Sequence, residues 1–284
     1  MTQDQLTQDQ LLSRRRVLQV GTAVVGAATV AQLFTDRPGA APSAAPARPA
    51  PGPRGSGPLR PSSYRLQPIT GYGPQRAERG RSVVRSRPFL RLDGRHRSMV
   101  LTFDDGPDPR YTPDVLRILR QYGVRAMFFV CGGMAQENTE LLREMAYDGH
   151  VVGNHTWSHP LLTRLSRSQI RSELERTSDV VLRASGQWPG WFRAPYGAWN
   201  RDAYEIGAEL GMEPLAWSVD TLDWRSPGPR AIVDRVTGGA APGAIVLAHD
   251  AGGDRSGSVQ ALRDYLPRLL RSGYRLTVPR RSSA

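Results

Sequence analysis

Asp104 and Asp105 stand side by side in Thr102-Phe103-Asp104-Asp105-Gly106-Pro107. Adjacent carboxylates repel each other, and a bound cation relieves that cost. Further along, His155-Thr156-Trp157-Ser158-His159 carries two histidines at the i, i+4 spacing that sets both imidazoles on one face of a helical turn. Neutral imidazole is the common zinc ligand. Calcium would ask for six or more oxygen ligands, whereas one carboxylate with two imidazoles suits zinc and leaves a position open for water. Taken singly, each pattern is equally at home in a solvated turn, because Asp, Gly and Pro are ordinary turn formers.

These residues need elements to bring them together. Short β-branched or aromatic runs at 99–103, 126–130, 150–154, 190–193, 214–219, 244–249 and 274–278 predict seven strands. They alternate with segments of helical period at 113–122, 137–147, 167–184, 201–210, 229–236 and 259–270, the pattern of a parallel α/β arrangement. Ser166 with Gln169 three residues later predicts a capping box, and Asn200 can cap the next helix. Asp104 and Asp105, the histidine pair, Arg193, Asp220 and Asp223, and His249 then all fall after or at the end of their strands. In a closed barrel or an open parallel sheet alike, functional groups collect at that end.

The five segments Thr102 to Pro107, His155 to His159, Arg193-Ala194-Pro195-Tyr196, Asp220-Thr221-Leu222-Asp223-Trp224 and Val246-Leu247-Ala248-His249 resemble, in order and spacing, the motifs of NodB-type polysaccharide deacetylases, carbohydrate esterase family four. The resemblance spans about residues 98–278 and implies an α/β fold, a distorted (β/α) barrel of about seven parallel strands. It implies a metal-dependent hydrolase that removes N-acetyl groups from N-acetylglucosamine polysaccharides such as peptidoglycan or chitin-like chains. Carried onto this sequence, Asp105, His155 and His159 would hold Zn2+, or another divalent ion such as Co2+, Ni2+ or Mn2+. Asp104 would be the general base, oriented by Arg193 through a charge-assisted hydrogen bond, and His249 the general acid, tuned by Asp223. Amide hydrolysis calls for this division, since the departing amine needs a proton as well as an activated water. Tyr196, through its backbone N–H, and Leu247, Trp224 and Trp157 would contact substrate. The alternatives are an O-acetyl esterase acting on xylan, and a wall-binding module that kept the fold without the chemistry.

The formal charge of +12 comes entirely from arginine, 38 against 26 acids. Residues 1–94 hold 14 Arg and 5 acids, a net of +9, leaving +3 for 95–284. A catalytic domain so nearly balanced argues against nucleic-acid binding, which needs a basic face. Ser13-Arg14-Arg15-Arg16-Val17-Leu18 ahead of an uncharged run to Phe34 resembles a twin-arginine export signal, so 1–35 is expected to direct export or to anchor the chain in a membrane. Pro, Ala and Gly fill 18 of the 24 positions from Pro38 to Pro61. Residues 36–94 therefore read as a largely disordered linker, basic enough to meet anionic wall polymers or a membrane surface. The expected organisation is signal, linker, and a monomeric catalytic domain over 95–284 at the cell surface or outside it. The single Cys131 excludes an internal disulfide framework.

Overall fold

A computed structural model describes residues 82–92 and 97–279. The expected signal segment and most of the expected linker lie outside the described residues.

Strand β1 (Ser98–Asp104) is the axis of the sheet. It pairs in parallel with β2 (Met127–Val130), β7 (Ile245–His249) and the short β8 (Arg275–Leu276). Beyond β2 come β3 (Val151–Asn154), β4 (Trp191–Phe192) and β5 (Glu213–Pro214), and β6 (Val219–Asp220) follows β7, giving the order β5-β4-β3-β2-β1-β7-β6. Every pairing is parallel, so all C-terminal ends open on one side. The seven strands curl into a half-barrel. Around it stand α1 (Thr112–Gln121), α2 (Gly132–Glu137), α3 (Thr139–Tyr147), α4 (Arg167–Ser185), α5 (Arg201–Glu209), α6 (Pro229–Gly238) and α7 (Ser256–Arg271).

The two-residue period of a strand decides which side chains enter the barrel. Met99, Leu101, Phe103, Phe128, Val130, Val246 and Ala248 point out and pack beneath the helices in the largest core cluster. Val100, Met127, Phe129, Trp191, Leu215 and Ile245 form a separate cluster on the other side of the sheet, in the barrel interior. Continuing each alternation places Thr102 and Asp104 of β1, Leu247 and His249 of β7, and Arg193 just past β4 on that inner side. On β3, Asn154 faces outward, donating to the Leu174 carbonyl and Ser178 of α4 at 2.8 and 2.9 Å, so His155 is turned inward. Gly153 is needed on that inner side, because a Cβ there would lie 2.7 Å from the Phe129 ring.

The capping box at Ser166 and Gln169 is present, and Asn200 caps α5 by accepting from the Ala203 N–H at 2.8 Å. Three expectations are corrected. The run 214–219 is not one strand but two, β5 and β6, at opposite edges of the sheet. The helix expected over 137–147 begins earlier and breaks at Asn138 into α2 and α3. The histidine pair lies in no helical turn: 155–159 is irregular, with Thr156 and His159 at φ of 70° and 57°.

Residues 82–92, assigned to the linker by composition, lie against the domain. The Phe89 N–H donates to the Pro214 carbonyl at 2.9 Å, the Ala216 N–H donates back to the Phe89 carbonyl at 2.8 Å, and the Leu92 N–H donates to the Gly243 carbonyl at 3.0 Å. Phe89 meets Trp191 edge to face at 6.0 Å, and Arg85 pairs with Glu213 while covering the Phe89 ring. This segment ties the β5 edge to the start of β7. A chain truncated to begin at residue 95 should therefore be less stable than one beginning at residue 75, by about 2 kcal/mol or more, and Phe89→Ala should reproduce about 1–3 kcal/mol of that loss. Equal denaturation midpoints for the two truncated chains would show that the segment contributes nothing.

Candidate active site

Arg193 fixes the site from below. Its guanidinium has no exposed surface. Nη1 donates to Asp104 Oδ1 at 2.6 Å and to Thr102 Oγ1 at 2.8 Å, Nε to the Leu215 carbonyl at 3.1 Å, and Nη2 to the Ala216 carbonyl at 2.9 Å. Its flat face lies 4.3 Å from the centre of the Phe129 ring. Thr102 Oγ1 passes its own proton to the Val246 carbonyl at 2.6 Å, so β1, β7 and the arginine are laced together directly beneath Asp104. Burying a cation is tolerable only with this degree of pairing.

The same residue orients a histidine. His155 Nδ1 stands 2.8 Å from the Arg193 carbonyl. A carbonyl can only accept, so Nδ1 carries the proton and Nε2 keeps its lone pair for a ligand. His155 Nε2 and His159 Nε2 lie 3.5 and 3.2 Å from Asp105 Oδ1, and one ligand atom from each of the three residues falls within 4.8 Å of the others. Ligand atoms each about 2.0–2.2 Å from one tetrahedral ion would be about 3.2–3.6 Å apart. The donor set, one hard oxygen and two imidazoles, suits zinc or a similar divalent ion, and the residues fit the metal that the sequence implies. The loop that carries the histidines is pinned at several points. The Trp157 and Ser158 N–H groups both donate to Glu173 Oε2 at 2.8 Å, and the Thr156 N–H donates to Asn154 Oδ1 at 2.8 Å. Asp105 itself sits at φ 74°, a strained position for a residue with a Cβ.

Across the mouth, His249 Nδ1 lies 2.6 Å from Asp223 Oδ1. The second oxygen of Asp223 accepts from the His249 N–H at 2.9 Å and from Ser258 Oγ at 2.7 Å. Burial works against an imidazolium, but attraction to Asp223 and its hydrogen bond outweigh that and raise His249 to about 9. Burial likewise opposes the Asp223 carboxylate, yet the facing histidine holds it below the usual carboxylate range. Asp220, the other acid of that segment, accepts from the Leu222 N–H at 2.8 Å, and burial raises it. Asp223 is thus the histidine's partner, and Asp220 caps a turn.

The remaining sequence candidates divide. Tyr196, at φ 63°, packs edge-on to His159 with ring centres 4.6 Å apart. Leu247 lines the inner side of β7, and Trp224 sits half-buried on the short helical turn beside Asp223 with Arg225 over its ring. Trp157 does not line the mouth as expected. Its indole packs against the core over Gly132, under the Arg176 guanidinium at 3.9 Å, because the irregular loop turns it away from the histidines. His150, given no role by the sequence, accepts from the Ala126 N–H at 3.1 Å beneath α3, and burial lowers it to about 4.

Two buried charged residues escaped the sequence reading. Arg255 donates to the carbonyls of Ala251, Gly252 and Asp223 at 2.8, 3.0 and 3.1 Å. Asp250 is wholly enclosed beside the Asp104-Asp105 turn, and burial pushes its carboxyl up to about 7. Asp250 was discoverable, since it directly follows His249 at the end of a strand.

With this geometry in view, the comparisons with known proteins are consistent. A family model described as polysaccharide deacetylase matches residues 91–215. A chitooligosaccharide deacetylase of Bradyrhizobium sp. is 42% identical over 192 residues, covering 63% of this chain and 88% of that one. A peptidoglycan-N-acetylglucosamine deacetylase of Bacillus cereus is 39% identical over 179 residues, covering 62% and 84%. Among solved structures, a CE4 family pseudoenzyme from Bacillus anthracis superposes with a TM-score of 0.63 at 31% identity, over 67% of this chain and 66% of that one. Likeness of this extent, with a relative 42% identical covered over 88% of its length and a family match spanning the residues from β1 to β5 that deliver Arg193, Asp104, Asp105, His155 and His159, makes the chain a member of the polysaccharide deacetylase family.

Proposed function

We propose that the protein hydrolyses N-acetyl groups on N-acetylglucosamine polymers, peptidoglycan or chitin-like chains, releasing acetate. The fold alone does not carry this reading, since it also occurs in a pseudoenzyme. What supports it is the placement of two separately buried proton-handling pairs, Asp104 with Arg193 and His249 with Asp223, at one mouth with the Asp105-His155-His159 cluster.

Asp105, His155 and His159 would hold a divalent metal, which when bound would supply carbonyl polarisation and a more acidic water. Asp104 has one oxygen committed to Arg193, leaving the other, 3.7 Å from His155 Nε2, to take the proton from the attacking water. His249 is tied to Asp223 through Nδ1, so Nε2 is the nitrogen that delivers a proton to the departing amine. Its pKa of about 9 keeps that proton available through neutral pH. This favours an amide over an ester substrate, because an amine leaves poorly without protonation and an alkoxide is less dependent on it. Tyr196 forms the wall beside His159, and Leu247 and Trp224 flank the acid. The twin-arginine-like segment carries the enzyme out of the cytoplasm, and the basic stretch after it holds it near anionic wall polymer or membrane.

Acetate release should be seen with N-acetylglucosamine oligomers or peptidoglycan in preference to acetylated xylan, and be lost on chelation and restored by zinc. No release from any of the three by metal-loaded protein would refute the reading. Asp104→Asn should lower kcat by about 10²–10⁴-fold with metal still bound, whereas His155→Ala should lose the metal, checked by metal content after gel filtration. Wild-type activity should fall as pH rises through about 9, where His249 loses its proton. In Asp223→Asn the raising influence is gone, so that alkaline limb should move toward or below the ordinary histidine value of about 6.5. An unmoved limb would remove His249 from the acid role. Replacing Arg14 and Arg15 together by Lys should leave the protein in the cytoplasmic fraction, and undiminished export would exclude the twin-arginine route.

A further inference from the structure

The turn that follows β1 carries Asp105, and its shape depends on a carboxylate from another strand. Asp250 extends from the end of β7 into the space beside Gly106, and a Cβ at residue 106 would lie 2.4 Å from Asp250 Oδ1. The Asp250 N–H donates to the Asp104 carbonyl at 3.3 Å. Its Oδ2 accepts from Thr112 Oγ1 at 2.5 Å, and Thr112 Oγ1 in turn accepts from the Asp108 N–H at 2.8 Å. The brace therefore runs from β7 through Asp250 and Thr112 to the far side of the turn, enclosing Asp105 and Gly106. The other face is closed by the same loop, since a Cβ at Gly252 would lie 2.5 Å from Asp105 Oδ2. A further buried carboxyl is a costly way to fill space, and Oδ1 of Asp250 has no hydrogen-bond partner among the described residues. An apolar residue would fill the cavity without that cost, but it could not receive the Thr112 hydroxyl.

We propose that Asp250, acting through Thr112, is a positioning residue that holds the Asp104-Asp105 turn in the strained shape needed for Asp105 to meet His155 and His159 at a metal. The inference rests on the assignment of those three residues as the metal ligands. Partners of metal ligands commonly tune affinity by about 10–100-fold, and Asp250 does so by shaping the backbone that delivers the ligand rather than by bonding to the ligand itself.

The test measures Zn2+ affinity of the full chain by competition with a chromogenic chelator, without substrate. Asp250→Ala and Thr112→Val should each weaken Zn2+ binding, the first by about tenfold or more, and Thr112→Ser, which restores the hydroxyl, should recover affinity to within about threefold of the parent. The absorption of Co2+-loaded protein should shift in the two weakened variants as the ligand geometry changes. Parent-like Zn2+ affinity in Thr112→Val, or in a folded Asp250→Ala, would reduce Asp250 to a packing residue. His155→Ala measured alongside separates the two readings: if it too binds Zn2+ like the parent, the metal assignment itself fails.

Discussion

A guanidinium with no surface in water governs the architecture of the mouth. An ion removed from water loses several kcal/mol of solvation even after the protein relaxes, so Arg193 obliges its neighbours to face it. Leu215 and Ala216 direct their carbonyls to Nε and Nη2, so those acceptors serve the arginine, while the Ala216 N–H bonds to Phe89. Beyond them the chain crosses the opening of the half-barrel, from β5 at one edge of the sheet to β6 at the other. Residues 89–92 then bond to the backbone on both sides of the opening. The side chain of Arg193 holds the proposed base, while its carbonyl sets the tautomer of His155. One residue thus ties the Asp105-His155-His159 cluster to Asp104, and a displacement of either would be felt by both.

The two halves of the mouth have opposite polarity. On one side a carboxylate rests on a permanent cation; on the other an imidazole rests on a buried anion. In surroundings of low dielectric each pairing is stronger than it would be in water, and the difference suits the proposed division of one cavity between a proton acceptor and a proton donor, the separation of acid from base by environment. Ser258 and the His249 N–H both serve Asp223, so the anion is fixed by α7 and β7 before it meets the imidazole.

Much of this was legible in the residues. Strand ends could be placed because parallel strands buried on both sides read as apolar runs that stop abruptly at polar residues, and Asp104, His155, Arg193 and His249 are those stops. The capping box was legible because it is local. What stayed hidden depends on partners distant in sequence. Trp157 sits inside a motif, yet its neighbours Gly132 and Arg176 decide its direction. Phe89 lies in a stretch whose composition says linker, and only the exposed edge at β5 gives it a place. The i, i+4 histidines suggested a helical turn, whereas the loop reaches the same convergence with left-handed residues.

Those left-handed residues separate the two ends of the barrel. Among the described residues, six that are not glycine have positive φ, namely Asp105, Thr156, His159, Tyr196, Leu222 and Ser226, and all six follow the C-terminal ends of β1, β3, β4 and β6. In the helix-to-strand connections at the other end the positive-φ positions are Gly123, Gly149, Gly186, Gly211, Gly243 and Gly273, glycines without exception. Glycine takes that conformation at no steric cost, whereas a residue with a Cβ gives up about 1–2 kcal/mol. Were these turns selected only for stability, both ends would use glycine. The strain is confined to the end that carries the proposed site, where Asp105 and His159 are two of the proposed ligands and Tyr196 packs against His159. The histidine loop is held in this shape by bonds to Asn154 and Glu173, and the carboxylate turn is bounded by Asp250 and Thr112, so that the contacts opposing relaxation lie where the strain does.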